Sequence, residues 1–393
     1  MFGFDYLISP LKSDVFLSQY KGMKAVVIEG DDHKFDGLLD WETINSTLDV
    51  TRSSFEGARL IYEKNELHRN ELQRLNVWLN KGATLVLNQV NQIDSLLNKF
   101  SSLLAKDLNT GVNTNAYISF PAKQGFNNHY DRHDVFVVQV EGTKLWNVFE
   151  PTHQYPLHLQ DGYLGKGEPP DSDSYIEYEM TPGDVLYIPR GHWHYAISTS
   201  PSIHLTVGPQ SRSAADFMQW YLPQIIQNDE FLRVDFPLAD ISALNGNKSD
   251  AELDEHISIL KDKMGEYLQE DIIKEQLIRF SLCSNPVRDQ YNIPSNWNIN
   301  ETIDIDTEFT VSDEQKSVLR YDDDESTGTA YIRGHLLQLN DAPKPALEYI
   351  FGKEQVVSGR KILDLTPALE WEKIKKILIQ LTQCGYLILS PKD

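Results

Sequence analysis

The sequence predicts an α+β protein built around a jelly-roll-type barrel of short strands. Three observations carry that expectation. Seven short β-type runs crowd residues 112 to 208, separated by turn residues such as Pro121-Ala122, Glu141-Gly142 and Thr181-Pro182-Gly183-Asp184, the pattern of a sandwich or barrel. Helical periodicity takes over from residue 211 to about 282. The 393 residues are too many for one small core and suit two or three domains.

Taken in order, "MKAVVIEG" (23–30) reads as a strand. "WETINSTLD" (41–49) and "HRNELQRLNVWLNKG" (68–82) read as helices, the second stopped by Gly82. "ATLVLNQV" (83–90) is a strand, and "IDSLLNKFSSLLAKDL" (93–108) has the apolar spacing of an amphipathic helix. The barrel strands follow: "NAYISF", "DVFVVQVEG", "KLWNVF", "SYIEYEM", "DVLYIP", "HYAIST" and "IHLTVG". "AADFMQWYLPQIIQ" and "AELDEHISILKDKMGEYLQEDIIKEQLIRF" carry periodic apolar stripes, which serve either as core or as a partner-helix surface. The polar, Pro/Asn-rich run 284–306 reads as a linker. Beyond it, "KPALEYIFG" and "ALEWEKIKKILIQLTQCG" read as helices and "YLILS" as a strand, a winged-helix-like order. That segment holds 11 basic against 17 acidic residues over 301–393; a DNA-reading wing is basic, so protein packing is the expected role. The acidic run "DDDE" (322–325) reads as a solvated loop.

Bulk chemistry narrows the partners. With 40% hydrophobic and 24% charged residues the chain is a folding sequence. It has no apolar run of ~18 residues to span a membrane. Its start lacks the basic-then-apolar pattern of a secretory leader. Two distant cysteines, Cys283 and Cys384, make neither a disulfide framework nor a thiolate zinc site. A reducing, cytoplasmic compartment is the simplest reading, and any metal must be held by histidines and carboxylates. The net charge of −22 disfavours direct nucleic-acid binding and favours basic partners.

The chemistry concentrates in "NNHYDRHDVFVVQVEGTKLWNVF" (127–149). On a strand, residues i and i+2 share a face, so His129 and Asp131 project together. They make two corners of a 2-His-1-carboxylate site. The third comes from "PGDVLYIPRGHWHYAIST", where His192 and His194 are both candidates. Three protein ligands leave three positions on an octahedral Fe(II), enough for a bidentate 2-oxo acid and O₂. A 2-oxoglutarate also needs a cation and a hydroxyl for its distal carboxylate. Lys144, 15 residues after His129, and Tyr117, one strand earlier, suit that clamp. Asn115 either faces the co-substrate beside Tyr117 or does not, and His204 either touches the co-substrate or packs. His133 reads as a rim residue, His192 (if not a ligand) as a residue behind the site or on the surface, and Trp146 and Phe149 as core.

"NAYISFPAKQGFNNHYDRHDVFVVQVEGTKLWNVF" together with "PGDVLYIPRGHWHYA" resembles the JmjC-type oxygenases of the cupin superfamily that hydroxylate ribosomal proteins. The likeness spans most of the chain and is strongest from about 82 to 210. It implies a double-stranded β-helix catalytic core (barrel core about 112–208) within a domain 1–210, a helical dimerisation segment 211–290 and a winged-helix-like domain 291–393. It implies His129, Asp131 and His194 as iron ligands, His194 being preferred because the family's ligand stands three residues after the glycine, here Gly191. Lys144 and Tyr117 then hold 2-oxoglutarate, and the protein is a homodimer acting on arginine or histidine of a basic ribosomal protein. Arg132-His133 and the extra His192 depart from the family pattern near the substrate mouth. The same chemistry on a small molecule or peptide natural product, and a non-catalytic cupin-type interaction module, are the alternatives.

Overall fold

The computed structural model describes residues 3–51, 56–121, 125–157, 170–171, 173–210, 212–236, 251–283, 299–312, 317–321, 327–332, 335–340, 342–352 and 356–390. The acidic run 322–325 and most of the expected linker lie outside the described residues. The chain divides into two compact units, 1–211 and 212–393.

In the first unit, helices α1 (Phe4–Ile8), α2 (Ser13–Gln19), α3 (Trp41–Thr51), α4 (Leu75–Asn80) and α5 (Ser95–Leu108) accompany eleven strands. These are β1 (Val26–Ile28), β2 (Ala58–Tyr62), β3 (Asn65–Glu66), β4 (Thr84–Leu87), β5 (Val112–Ser119), β6 (Val135–Glu141), β7 (Lys144–Phe149), β8 (Ile176–Met180), β9 (Val185–Ile188), β10 (Trp193–Ser198) and β11 (Ser202–Pro209). They form two antiparallel sheets, one ordered β1-β9-β6-β11-β5-β4-β2-β3 and the other β10-β7-β8. Burial of both strand faces explains why β6 over Val135–Val138 and β9 throughout are apolar. Val135, Val137, Leu186 and Ile188 pack with Trp146, Val148 and Met180 of the small sheet. Phe136, Val138, Val185 and Tyr187 point the other way, into a core shared with Phe4, Phe16, Leu97, Phe100 and Leu104 of the helices. Each strand thus serves two cores, and the space between the sheets holds the site.

One expected helix differs. Residues 69–74 form a 3₁₀ turn before α4 begins, because the His68 ring accepts Asn70 N–H at 3.3 Å and Arg74 leaves helical geometry (φ −115°, ψ 30°).

The second unit begins with α6 (Ala214–Asn228), opened by a reciprocal Ser213–Asp216 capping box. The periodic apolar stripe over 251–280 is carried by two helices, α7 (Ala251–Tyr267) and α8 (Glu270–Cys283). Tyr267, where the first one ends, is tied sideways: its carbonyl accepts Tyr221 O–H at 3.1 Å, and its hydroxyl donates to Asp229 at 2.9 Å. The remainder comprises α9 (Ile299–Thr302), α10 (Lys344–Ile350), α11 (Gly359–Leu365) and α12 (Trp371–Gln383). Strands β12 (Glu308–Val311), β16 (Val356–Ser358) and β17 (Leu387–Leu389) make one sheet; β13 (Ser317–Tyr321), β14 (Thr327–Ile332) and β15 (His335–Asn340) make a meander. Ile374, Ile377, Leu378 and Leu381 line one face of α12 and bury it against Phe309, Val357 and Leu387.

Candidate metal centre

His129 and Asp131 lie ahead of β6 in an irregular run rather than in the regular strand that the alternation predicted. A single antiparallel bridge pins them: His194 N–H donates to His129 O (2.7 Å), and His129 N–H donates to His194 O (3.2 Å). The Pro189-Arg190-Gly191 turn runs alongside. Gly191 N–H donates to Asp131 O (2.9 Å), and Arg190 N–H to Asp134 Oδ1 (3.1 Å). Gly191 is needed there: its φ is +88°, and a Cβ would stand 2.6 Å from the His153 carbonyl oxygen. Pairing of β10 with β7, Trp193 opposite Phe149 through Ser198 opposite Lys144, carries His194 to the mouth and fixes Lys144 at the far end.

His129, Asp131 and His194 each offer a ligand atom, all within 4.8 Å of one another. His194 Nε2 stands 3.6 Å from Asp131 Oδ2. Both imidazoles are aimed by their other nitrogen: His129 Nδ1 reaches Asn127 O (2.8 Å) and His194 Nδ1 reaches His192 O (3.0 Å). A carbonyl only accepts, so Nδ1 carries the proton in each ring and Nε2 is left as a bare donor for a metal. Electrostatics agree. Burial holds His194 down to about 4, with His129 adding to the shift. Burial pushes the Asp131 carboxyl up and the charged forms of His194, His129 and His133 pull it down, the balance lying below its usual value. Two neutral imidazoles and one carboxylate fit a divalent metal of the Fe(II) type.

The ligand atoms open into a cavity of ≈ 80 Å³ whose lining includes Tyr117, Ser119, Lys144, Trp146 and His204. Lys144 is buried on β7, with Ser119 Oγ at 3.2 Å and His204 Nδ1 at 3.4 Å. Burial brings its ammonium down to about 7. His204 is held well below its usual value by burial and then by Lys144, so it is a neutral acceptor. Tyr117 stacks on His204 with centroids 4.8 Å apart, and burial pushes its phenol up to about 12.

Asn115 behaves differently from its strand-mates. Its amide oxygen accepts Gln89 N–H at 2.8 Å, its side chain bonds to Tyr117, and it is absent from the cavity lining. His192 is neither among the converging ligand atoms nor on the surface; it is buried away from the cavity. His133 packs its ring on Gly208. The sequence reading missed Ser119, held by Thr84 at 3.1 Å, and the cavity-lining role of Trp146. Both were accessible through the two-residue period, from Tyr117 to Ser119 and from Lys144 to Trp146.

Comparison with known proteins agrees with this geometry. Residues 86–217 match the JmjC domain family. Over residues 86–217 the fold and site are thus those of a JmjC domain. The chain is 26% identical over 348 residues to ribosomal oxygenase 1 of Bos taurus, covering 79% of this chain and 51% of that protein. It is 36% identical over 152 residues to the bifunctional lysine-specific demethylase and histidyl-hydroxylase NO66 of Drosophila persimilis, covering 38% and 20%. The crystal structure of Escherichia coli YcfD aligns over 97% of this chain and 98% of that one at TM-score 0.62 and 16% identity. The chain spans about half the length of the ribosomal oxygenases 1 it matches.

Proposed function

We propose that this chain is an Fe(II)- and 2-oxoglutarate-dependent oxygenase that hydroxylates a side chain, arginine or histidine, of a basic ribosomal protein. The observation that carries this reading is a single cavity with His129, Asp131 and His194 at one end and a buried lysine at the other. When bound, iron, 2-oxoglutarate and O₂ supply the oxidant for C–H hydroxylation. His129, Asp131 and His194 would hold the metal and leave its other positions open. Lys144 and Tyr117 would clamp the distal carboxylate of 2-oxoglutarate, and the carboxylate would restore the charge that burial removes from Lys144. His204 would accept from the ammonium and keep it aimed. Trp146, Val135 and Val137 would exclude water from the cavity walls. A structure of YcfD is described in complex with cobalt and 2-oxoglutarate, which supports the same dependence here.

The domain reading is part of the proposal: catalytic domain 1–210, helical dimerisation segment 211–290, winged-helix-like domain 291–393. Exposed Ile257, Ile259, Leu268, Ile272 and Leu277 on and between α7 and α8 support a homodimer. The charge of −22 supports a basic polypeptide partner over nucleic acid. Cysteine usage supports a cytoplasmic setting, and no helix among the described residues is long and apolar enough to cross a membrane.

Succinate formation by purified protein with iron and 2-oxoglutarate tests the chemistry; turnover unchanged in His129→Ala or Asp131→Ala defeats it. Intact masses of ribosomal proteins from cells with and without the gene test the substrate: one protein should lose the mass of one oxygen atom.

A further inference from the structure

Residues 22–25 run ahead of β1 and are pinned by two tyrosine hydroxyls. Gly22 N–H donates to the Tyr187 hydroxyl (2.8 Å), which gives its own proton to Asp134 Oδ2 (2.7 Å). Ala25 N–H donates to the Tyr175 hydroxyl (3.1 Å), which meets His192 Nδ1 at 2.8 Å. A phenol that already accepts an amide proton has its own to give. His192 Nδ1 therefore accepts, and Nε2 carries the ring's proton. The ring also hydrogen-bonds to the backbone of Phe149 and Met23. Only 2% exposed, His192 ties together three segments: 23–25, the end of β7, and the approach to β8.

The carbonyl of the same residue accepts His194 Nδ1–H at 3.0 Å. Gly191, immediately before it, has the backbone freedom of a positive φ, so the position of that carbonyl depends on what anchors residue 192. On the opposite side, Asp134 is held to the same strap by Tyr187 and accepts Arg190 N–H. One strap thus braces both motif segments.

We propose that His192 is a positioning residue for the metal centre: latched through Tyr175 to residues 22–25, it holds the carbonyl that sets the tautomer and aim of His194. This rests on the reading of His129, Asp131 and His194 as metal ligands.

The test is a Co(II) titration of the whole protein, reading both Kd and the visible absorption bands of the bound ion. Tyr175→Phe removes one hydroxyl from a ring 38% exposed, so it preserves the fold even if His192→Phe does not. Kd should rise about 10–100-fold in His192→Phe, by less in Tyr175→Phe, and recover in part in His192→Asn, with shifted bands in the weakened variants. Leu104→Ala destabilises the same unit without touching the strap and should keep the wild-type Kd. Wild-type Kd and spectrum in both His192→Phe and Tyr175→Phe overturn the inference, as does an equal loss in Leu104→Ala. Wild-type protein that takes up no Co(II) overturns the metal reading itself, so the two failures are told apart by the first titration.

Discussion

Binding of 2-oxoglutarate should weaken about tenfold between pH 6 and pH 8, and Lys144→Met should abolish that dependence. Burial lowers the Lys144 ammonium to about 7 in the free protein, where its near neighbours Ser119 and His204 are neutral. About nine-tenths of the molecules carry the charge at pH 6 and about one-tenth at pH 8. A carboxylate seated beside Nζ returns the group toward its ordinary value of 10.5, so it is charged in the complex at both pH values. Binding at pH 8 must then take up close to one proton, and the affinity falls by the ratio of the charged fractions, about tenfold or ~1.4 kcal/mol. His194, held at about 4, stays neutral across this range and does not compete. Calorimetric titration of Mn(II)-loaded protein with 2-oxoglutarate, in two buffers of different ionisation heat, counts the protons directly. A proton count near zero at pH 8, or the same pH slope in Lys144→Met, refutes the reasoning.

Further outcomes follow from the same contacts. Lys144→Met should stabilise the unligated protein by a few kcal/mol at pH 6: a lysine depressed in the fold costs stability fully below about pH 7, and the cost disappears as pH rises toward 10.5. Urea unfolding at several pH values should therefore show the wild type gaining on the variant between those limits; parallel curves would contradict it. Gly191→Ala should cost about 1–3 kcal/mol and lower Tm, since the new Cβ meets the His153 carbonyl at 2.6 Å in a left-handed backbone. Leu104→Ala, at a fully buried position in the helix-facing core, should cost about 2–5 kcal/mol in denaturant melts.

Much of the barrel was legible because its signals are local. The apolar runs "DVFVVQVEG" and "KLWNVF" read as strands and are β6 and β7, although the reading did not extend the two-residue period from Tyr117 to Ser119 or from Lys144 to Trp146. The helix over 371–383 was equally plain, because its apolar residues fall on one face. Local signals failed where a distant partner intervened. Residues 251–280 have one continuous stripe, yet the helix is interrupted where Tyr267 is bound to Tyr221 and Asp229. Asn115 shares a face with Tyr117 by period, but Gln89, outside the strand, claims its amide oxygen.

By itself the sequence determined the ligand chemistry, that is, which residues carry imidazole, carboxylate and ammonium, since side-chain identity is a property of the chain. The three-dimensional arrangement brought His194, which the family spacing already favoured, together with His129 and Asp131, left His192 away from the cavity, and turned the Asn127 and His192 carbonyls behind the two rings. The reason is that the two motifs meet through a backbone bridge across 65 residues and are braced by a tyrosine hydroxyl 165 residues from the amide it accepts, and no spacing within either motif encodes those partners.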